Sequence, residues 1–198
     1  MTALQRPIVS LLSASVLLAL SGVAAAEIEK IANVCEQQIC FYWWPKLPPP
    51  AGWHHEPEPS RKHHMNVLAP DGSSFSDAET IIYARALYKP DLKGMGSVDD
   101  VVADDKKGFA EHAPPATVAD VEPLVTGDGQ KLRSITFFPK EEGNWEIVAY
   151  GVEGDYYLMF TMSSRTQRGY KEALPIFAAL LHAYKEKPGD AEAGEQAP

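Results

Sequence analysis

Apolar and polar positions along this chain repeat with two different periods, and the periods predict its elements. Between Thr80 and Lys89, Ile81, Tyr83, Arg85 and Leu87 alternate with Ile82, Ala84, Ala86 and Tyr88. One face is apolar and the other mixed, which predicts a half-buried strand. His63 to Pro70 forms an element ahead of it, and Pro70-Asp71-Gly72-Ser73-Ser74 is a turn signal between the two. Further strands follow over 117–125, 131–138, 145–152 and 156–162. Tight Gly/Asp segments such as Gly127-Asp128-Gly129 and Glu153-Gly154-Asp155 separate them, the pattern of an antiparallel meander.

Two segments carry the helical period. Ser97 is placed as an N-cap, with Asp99 and Asp100 suited to the positive end of a helix. Val98, Val101, Val102 and Phe109 share a side, and Pro114-Pro115 ends the segment. Tyr170, Leu174, Phe177, Leu181 and Tyr184 recur at spacings of four and three, one apolar stripe. Pro175 within it must lie in the first turn or produce a kink.

The flanks are less regular. Residues 27–38 read as a short, partly helical lead. Phe41-Tyr42-Trp43-Trp44, with Pro45 and Pro48-Pro49-Pro50, reads as extended polyproline II, its aromatics covering one end of the core or forming an exposed binding strip. Residues 188–198 are acidic, rich in small residues and aperiodic, which predicts a disordered tail. No internal repeat is present. The expected organisation is a signal peptide over 1–26, an N-terminal lead with the cysteine pair over 27–43, an α+β domain over 44–187 and the tail. The expected fold is α+β, an antiparallel meander of about six to seven strands flanked by two helices.

Leu47-Pro48 with Gly52-Trp53, then Asn66 to Pro70, the strand from Tyr156 to Thr161, and Tyr170 with Leu174-Pro175-Ile176-Phe177 together resemble the small secreted α/β/α sandwiches related to the PsbP and DcrB families. The resemblance covers most of residues 44–187 and lies in topology and apolar spacing. It implies a fold and assigns no site.

The first residues change the picture most. Arg6 supplies a positive n-region, Ile8 to Leu20 is mostly apolar, and Ala24-Ala25-Ala26 supplies a cleavage site, so the mature chain is expected to begin at Glu27. The apolar run is short for a membrane span. The expected location is therefore periplasmic or secreted. The net charge is −9, and losing Arg6 makes the mature chain more negative still. Such a chain is repelled by phosphate backbones and anionic lipid surfaces, which disfavours nucleic acid as a partner.

Cys35 and Cys40 are the only cysteines. In an oxidising compartment a structural disulfide is the first expectation, with a turn between the two residues. Free or metal-binding thiols, and a redox pair, are the alternatives. Four of the six histidines, His54, His55, His63 and His64, cluster beside Glu56, Glu58 and Met65. Imidazole and thioether suit zinc or copper. If 53–55 and 63–66 run as neighbouring extended segments, one histidine of each pair could share a side. The alternative is a polar surface loop kept extended by Pro57 and Pro59.

Catalytic signatures are absent: there is no Gly-x-Ser-x-Gly, His-Glu-x-x-His, P-loop or Gly-x-Gly-x-x-Gly. Gly94-Met95-Gly96 is expected to serve a turn. Glu111-His112 with Ser73 or Ser163 is a combination any globular sequence offers. Asp99, Asp100, Asp104 and Asp105 lack the EF-hand pattern and read as a solvated helix face. The leading expectation is an exported, non-catalytic domain that binds an envelope protein or a small ligand. The alternative is a periplasmic metal-binding protein that uses the histidine cluster, with zinc or copper as the cofactor.

Overall fold

The structure, a computed structural model, describes residues 28–36, 38–112 and 115–184, without the side chain of residue 112. The expected signal peptide and tail lie outside the described residues. Nine strands form one antiparallel sheet: β1 (Ile28–Cys35), β2 (Gln38–Pro45), β3 (Trp53–His55), β4 (Asn66–Pro70), β5 (Thr80–Tyr88), β6 (Ala116–Val125), β7 (Lys131–Pro139), β8 (Trp145–Glu153) and β9 (Tyr156–Ser164). Among the described residues three α-helices accompany them, α1 (Pro57–His63), α2 (Val98–His112) and α3 (Gln167–Ala183), with a 3₁₀ turn at Lys89–Asp91. The α+β class stands as expected, with more strands and one more helix.

β6 to β9 form the meander read from the sequence. β9 lies at the centre, paired along its whole length with β8 on one side and β5 on the other. The far edge of β5 is shared. β4 pairs with it from Ile82 to Ala84, and β2 meets it at Ala86 through Trp43. Asn66 joins the two: its amide donates to the Pro45 carbonyl at 2.9 Å, so the end of β2 is tied to the start of β4. A buried amide needs such a partner, and this one also sets where the chain crosses from hairpin to sheet.

Alternation along β9 assigns the two faces. Leu158, Phe160 and Met162 lie under α3 with Phe177, Leu180 and Leu181. Tyr157 and Met159 lie under α2 with Val101 and Val102. The molecule is therefore a sheet between two helical layers. α2 begins as expected, because the Ser97 hydroxyl accepts from the Asp100 amide at 3.2 Å and donates to the Asp100 carboxylate at 2.8 Å. α3 is capped by Thr166, whose side chain accepts from the Gly169 amide. Pro175 sits in its interior rather than its first turn, so one backbone hydrogen bond is missing there.

Three local expectations need correction. Residues 28–35 are a strand, not a partly helical lead. Ile28, Ile31 and Val34 recur every third residue, which imitates a helical period, but pairing with β2 satisfies the backbone instead. For the same reason Phe41 to Trp44 is a β-strand rather than polyproline II, and the segment before residue 44 is part of the sheet. Residues 57–63 form a short helix rather than an extended loop. Pro57 occupies its start, where the missing N–H would have no partner anyway.

Candidate functional site

A cleft of about 660 Å³ opens between the β1–β2 hairpin, α1 and the end of α3. Ile31, Trp44, Leu47, Pro48 and Tyr184 form its apolar walls, and Glu29, His55, Arg61 and Asn66 add polar groups. A volume of this size and a mostly apolar lining are typical of ligand clefts.

Each wall is fixed by its neighbours. The register places Glu29 opposite Trp44, and the indole N–H donates to the Glu29 carboxylate at 3.2 Å. Trp44 is buried and held in one orientation, so it presents a rigid apolar surface at low entropic cost. The buried Tyr184 hydroxyl donates to the buried Glu153 carboxylate, and the Tyr184 carbonyl accepts from the Gly127 amide at 3.2 Å. Those bonds pin the end of α3 to the sheet.

Ser60 organises the α1 side. Its hydroxyl donates to the Glu56 carbonyl at 2.7 Å and accepts from the Val67 amide at 2.9 Å, locking α1 onto β4. Asn66 donates its amide to Pro45, so its oxygen faces His55 Nδ1 at 3.1 Å. That oxygen can only accept, so Nδ1 carries the proton and Nε2 is the acceptor of the neutral ring. A ligand at this end meets a hydrogen-bond acceptor on His55 and a cation on Arg61.

The structure distributes the four histidines. β3 pairs with β4, so His54 lies opposite Ala69 and His55 opposite Leu68; neither faces the second pair. His54 contacts Glu56 at 3.0 Å and Asp71 at 3.4 Å. His63 ends α1 with its ring 4.9 Å from that of Phe75. His64 is the C-cap of α1 at φ 59 and stacks on Tyr42, with 3.5 Å between ring centroids and 4° between planes. Among the described residues no group of three or more His, Cys, Asp or Glu side chains converges to hold a metal ion. The expectation of two neighbouring extended segments fails because residues 57–63 coil into α1.

Cys35 and Cys40 flank the hairpin turn, as expected, with Glu36 in the left-handed conformation at φ 52. Both thiols are free. Cys35 Sγ lies 3.0 Å from the Tyr42 hydroxyl.

The other sequence candidates have structural roles. Ser73 donates to the Pro70 carbonyl at 2.8 Å. Ser163 donates to Glu146 at 2.5 Å and accepts from Asn144 at 3.0 Å, while Glu111 faces Lys107 at 3.9 Å. The side chain of His112, the other half of the Glu111-His112 candidate, lies outside the described residues. Gly94 is in the left-handed region, and the Gly96 amide donates to Asp100, so this segment is a turn.

The aspartates of α2 do not all face solvent, as the sequence suggested. Asp105 accepts from the Tyr150 hydroxyl at 2.5 Å and lies 3.7 Å from Arg85. Asp99 and Asp120 both take Arg133. Burial, with the nearby Asp105 charge adding to it, holds the Glu146 carboxyl above the usual carboxylate range despite the Ser163 and Asn144 donors. Burial likewise raises the Tyr83 and Tyr150 phenols, so both remain neutral. These groups form a polar layer beneath α2.

The cleft walls were missed in the sequence because Glu29, Ile31 and Trp44 belong to segments read as helix and polyproline. The alternation of exposed and half-buried positions along β1 becomes readable only once its partner strand is known.

No protein-family model and no curated protein matches this chain. Among solved structures it is similar to the crystal structure of PA94, a protein of unknown function from Pseudomonas aeruginosa. The identity is 10%, the TM-score is 0.47, and the match covers 81% of this chain and 99% of that one. No helix among the described residues is long and apolar enough to cross a membrane.

Proposed function

We propose that this chain is an exported, non-catalytic binding domain of the cell envelope, and that its cleft receives an apolar ligand or an apolar segment of a partner. The observation that carries the reading is the cleft itself: a wall of Ile31, Trp44, Leu47 and Tyr184 lies beside a few fixed polar groups. An apolar body gains by leaving water against that wall, at about 25 cal/mol per Å². Arg61 and the His55 acceptor then orient its polar end. The N-terminal segment, with its basic start, apolar run and small-residue cleavage site, is what supports export.

Trp44 in the wall makes the test direct. Titration with anilinonaphthalene sulfonate, an apolar anionic probe, should give saturable one-to-one binding, with energy transfer from tryptophan. Ile31→Glu puts a negative charge into the wall from a half-buried edge-strand position and should weaken binding of this anionic probe about 10-fold or more. Unsaturable binding, or equal affinity in the variant, overturns the cleft as the site. Export is tested separately: mass spectrometry of the processed protein should find Glu27, or a residue within two of it, at the N-terminus, and an intact Met1 refutes export.

A further inference from the structure

We propose that the outer edge of β1 pairs with the same edge of a second copy of this chain, joining two sheets antiparallel about a two-fold axis at Asn33. The seam is a protein–protein contact along the strand edge and does not depend on the reading of the cleft.

The free edges of the sheet differ in how they are guarded. β6, at the far end, carries Pro123, the acids Asp120 and Glu122, and a register shift between Val121 and Leu124. β3 is three residues long. Prolines, bulges, charges and shortness are the devices that keep an exposed edge from pairing with another chain. β1 has eight residues in unbroken register with β2, with no proline and no bulge. Among the described residues nothing pairs with its outer side. Lys30, the charge that could guard it, lies folded over the Phe41 ring at 4.1 Å from the centroid. The hairpin face it shares is open and apolar: Val34 is 75% exposed, Ile39 66% and Phe41 46%.

The hairpin sets which main-chain groups are available. Only two residues separate Cys35 from Gln38, so these close the turn as a hydrogen-bonded pair. Hydrogen-bonded and non-hydrogen-bonded pairs alternate from there. The N–H and C=O groups of Ile28, Lys30, Ala32 and Val34 therefore point away from β2. An antiparallel neighbour must match outward residues to outward residues.

A two-fold at Asn33 satisfies that rule. Ala32 then lies opposite Val34 of the second copy, and Lys30 lies opposite Glu36 of the second copy, each pair occurring twice. Glu36 is exposed at the hairpin turn. The neighbouring two-folds that also obey the rule, at Ala32 and at Ile31, place Lys30 opposite Val34 or Ala32 and give it no acid. Opposite charges directly across two strands stabilise the pair, and like charges oppose it. The same register sets the two apolar hairpin faces side by side, so that Ile39 and Phe41 of each copy flank a central Ala32 and Val34 from both. This self-complementarity in charge and apolar pattern is what selects a second copy over an extended segment of another protein.

Sedimentation equilibrium of the purified protein should show a reversible monomer–dimer equilibrium in the micromolar range, as befits a small interface. Ala32→Pro removes an outward N–H, spares the pairing with β2 and should weaken dimerisation about 100-fold. Lys30→Glu sets like charges across the axis twice and should weaken it about 10-fold. Adding Glu36→Lys to Lys30→Glu should restore the parent affinity to within about 3-fold. Circular dichroism should match the parent for each variant; if Ala32→Pro disturbs the hairpin, the charge pair still decides. A protein that stays monomeric at every concentration overturns the seam. So does a dimer that a folded Ala32→Pro leaves intact, or a charge-reversed pair that does not recover the affinity lost in Lys30→Glu.

Discussion

Beneath α3 the strands present Ile82, Ala84, Leu158, Phe160 and Met162, and the helix answers with Phe177, Leu180 and Leu181. Beneath α2 the same strands present Tyr83, Arg85, Glu146, Thr161 and Ser163 among Val148, Tyr157 and Met159. One face is held by apolar burial almost alone. The other mixes an apolar patch with a hydrogen-bonded polar layer in which Asp105 reaches down from the helix to Tyr150 and Arg85. Apolar contact is non-directional and tolerates a stripe of interchangeable residues. A polar layer needs each donor matched, so single atoms matter more there than volume. The mean chemistry of a helix therefore says little about how its inner side is fastened.

Substitutions on the two faces should separate these mechanisms. The largest effect is expected at Phe177, which is fully buried. Phe177→Ala should lower stability by about 3–5 kcal/mol through lost transfer energy and a residual cavity, measured by urea unfolding. A loss below about 1 kcal/mol would mean that α3 is not the anchor of its face.

Gly169 comes next, in the first turn of α3. An added Cβ would stand 2.6 Å from Ser164 Oγ and 2.9 Å from Thr80 Oγ1, whose hydroxyls bond to each other at 2.8 Å. Gly169→Ala should cost about 1–3 kcal/mol by overpacking, although alanine is the better helix former. A stabilised variant would show that the helix start yields easily.

On the α2 side, Tyr150→Phe keeps the ring and removes only the hydroxyl. The expected loss is about 1–2 kcal/mol, because Asp105 keeps Arg85 but loses its closest donor. A double cycle with Asp105→Asn should show coupling between the two sites, and simple additivity would dissolve the polar layer into independent contacts.

The smallest effect is pH-dependent and belongs to Glu146. Its folded pKa is raised, so between the unfolded and folded values the native state holds more protons than the unfolded chain. Stability from this group is full below the unfolded carboxylate range and declines as pH rises through the raised value. Glu146→Gln removes the decline and keeps an acceptor for Ser163. Melting curves from pH 4.5 to 7.5 should show the variant gaining on the parent as pH rises (window set by the ordinary carboxylate value). The exposed Asp77, Asp100 and Asp120 and the half-buried Glu79 are shifted downward and act oppositely, losing stability as pH falls. They cancel from the comparison because both proteins share them. A difference that shrinks with rising pH would reverse the assignment.

Legibility followed the range of the forces involved. β5, the meander from β6 to β9, α2 with its Ser97 cap and the stripe of α3 were readable because alternation, a 3.6-residue period and turn residues are local signals. The β1–β2 hairpin was not, since Ile28, Ile31 and Val34 suit a helix and only β2 makes them a strand. Nor was α1, where two prolines that stiffen an extended chain also fit the first turn of a helix. The cleft depended on both misread segments. The histidines scattered for a related reason: a helix of seven residues separates His54 and His55 from His64, and each ring found a nearer partner.

The sequence by itself determined the class of the fold, the strands of the meander, the two amphipathic helices and the acidic charge of the molecule. Each follows from residue type and spacing within one element. The tertiary structure alone decided that β2 and β4 would share one edge of β5, that Asn66 would splice them, and that Trp44 and Tyr184 would line the same cleft. It also placed two thiols and a phenol on one face of a hairpin, with Cys35 against the Tyr42 hydroxyl. Those placements depend on which strand pairs with which, and pairing is settled by the combined burial of residues far apart in the chain, a quantity that no local window contains.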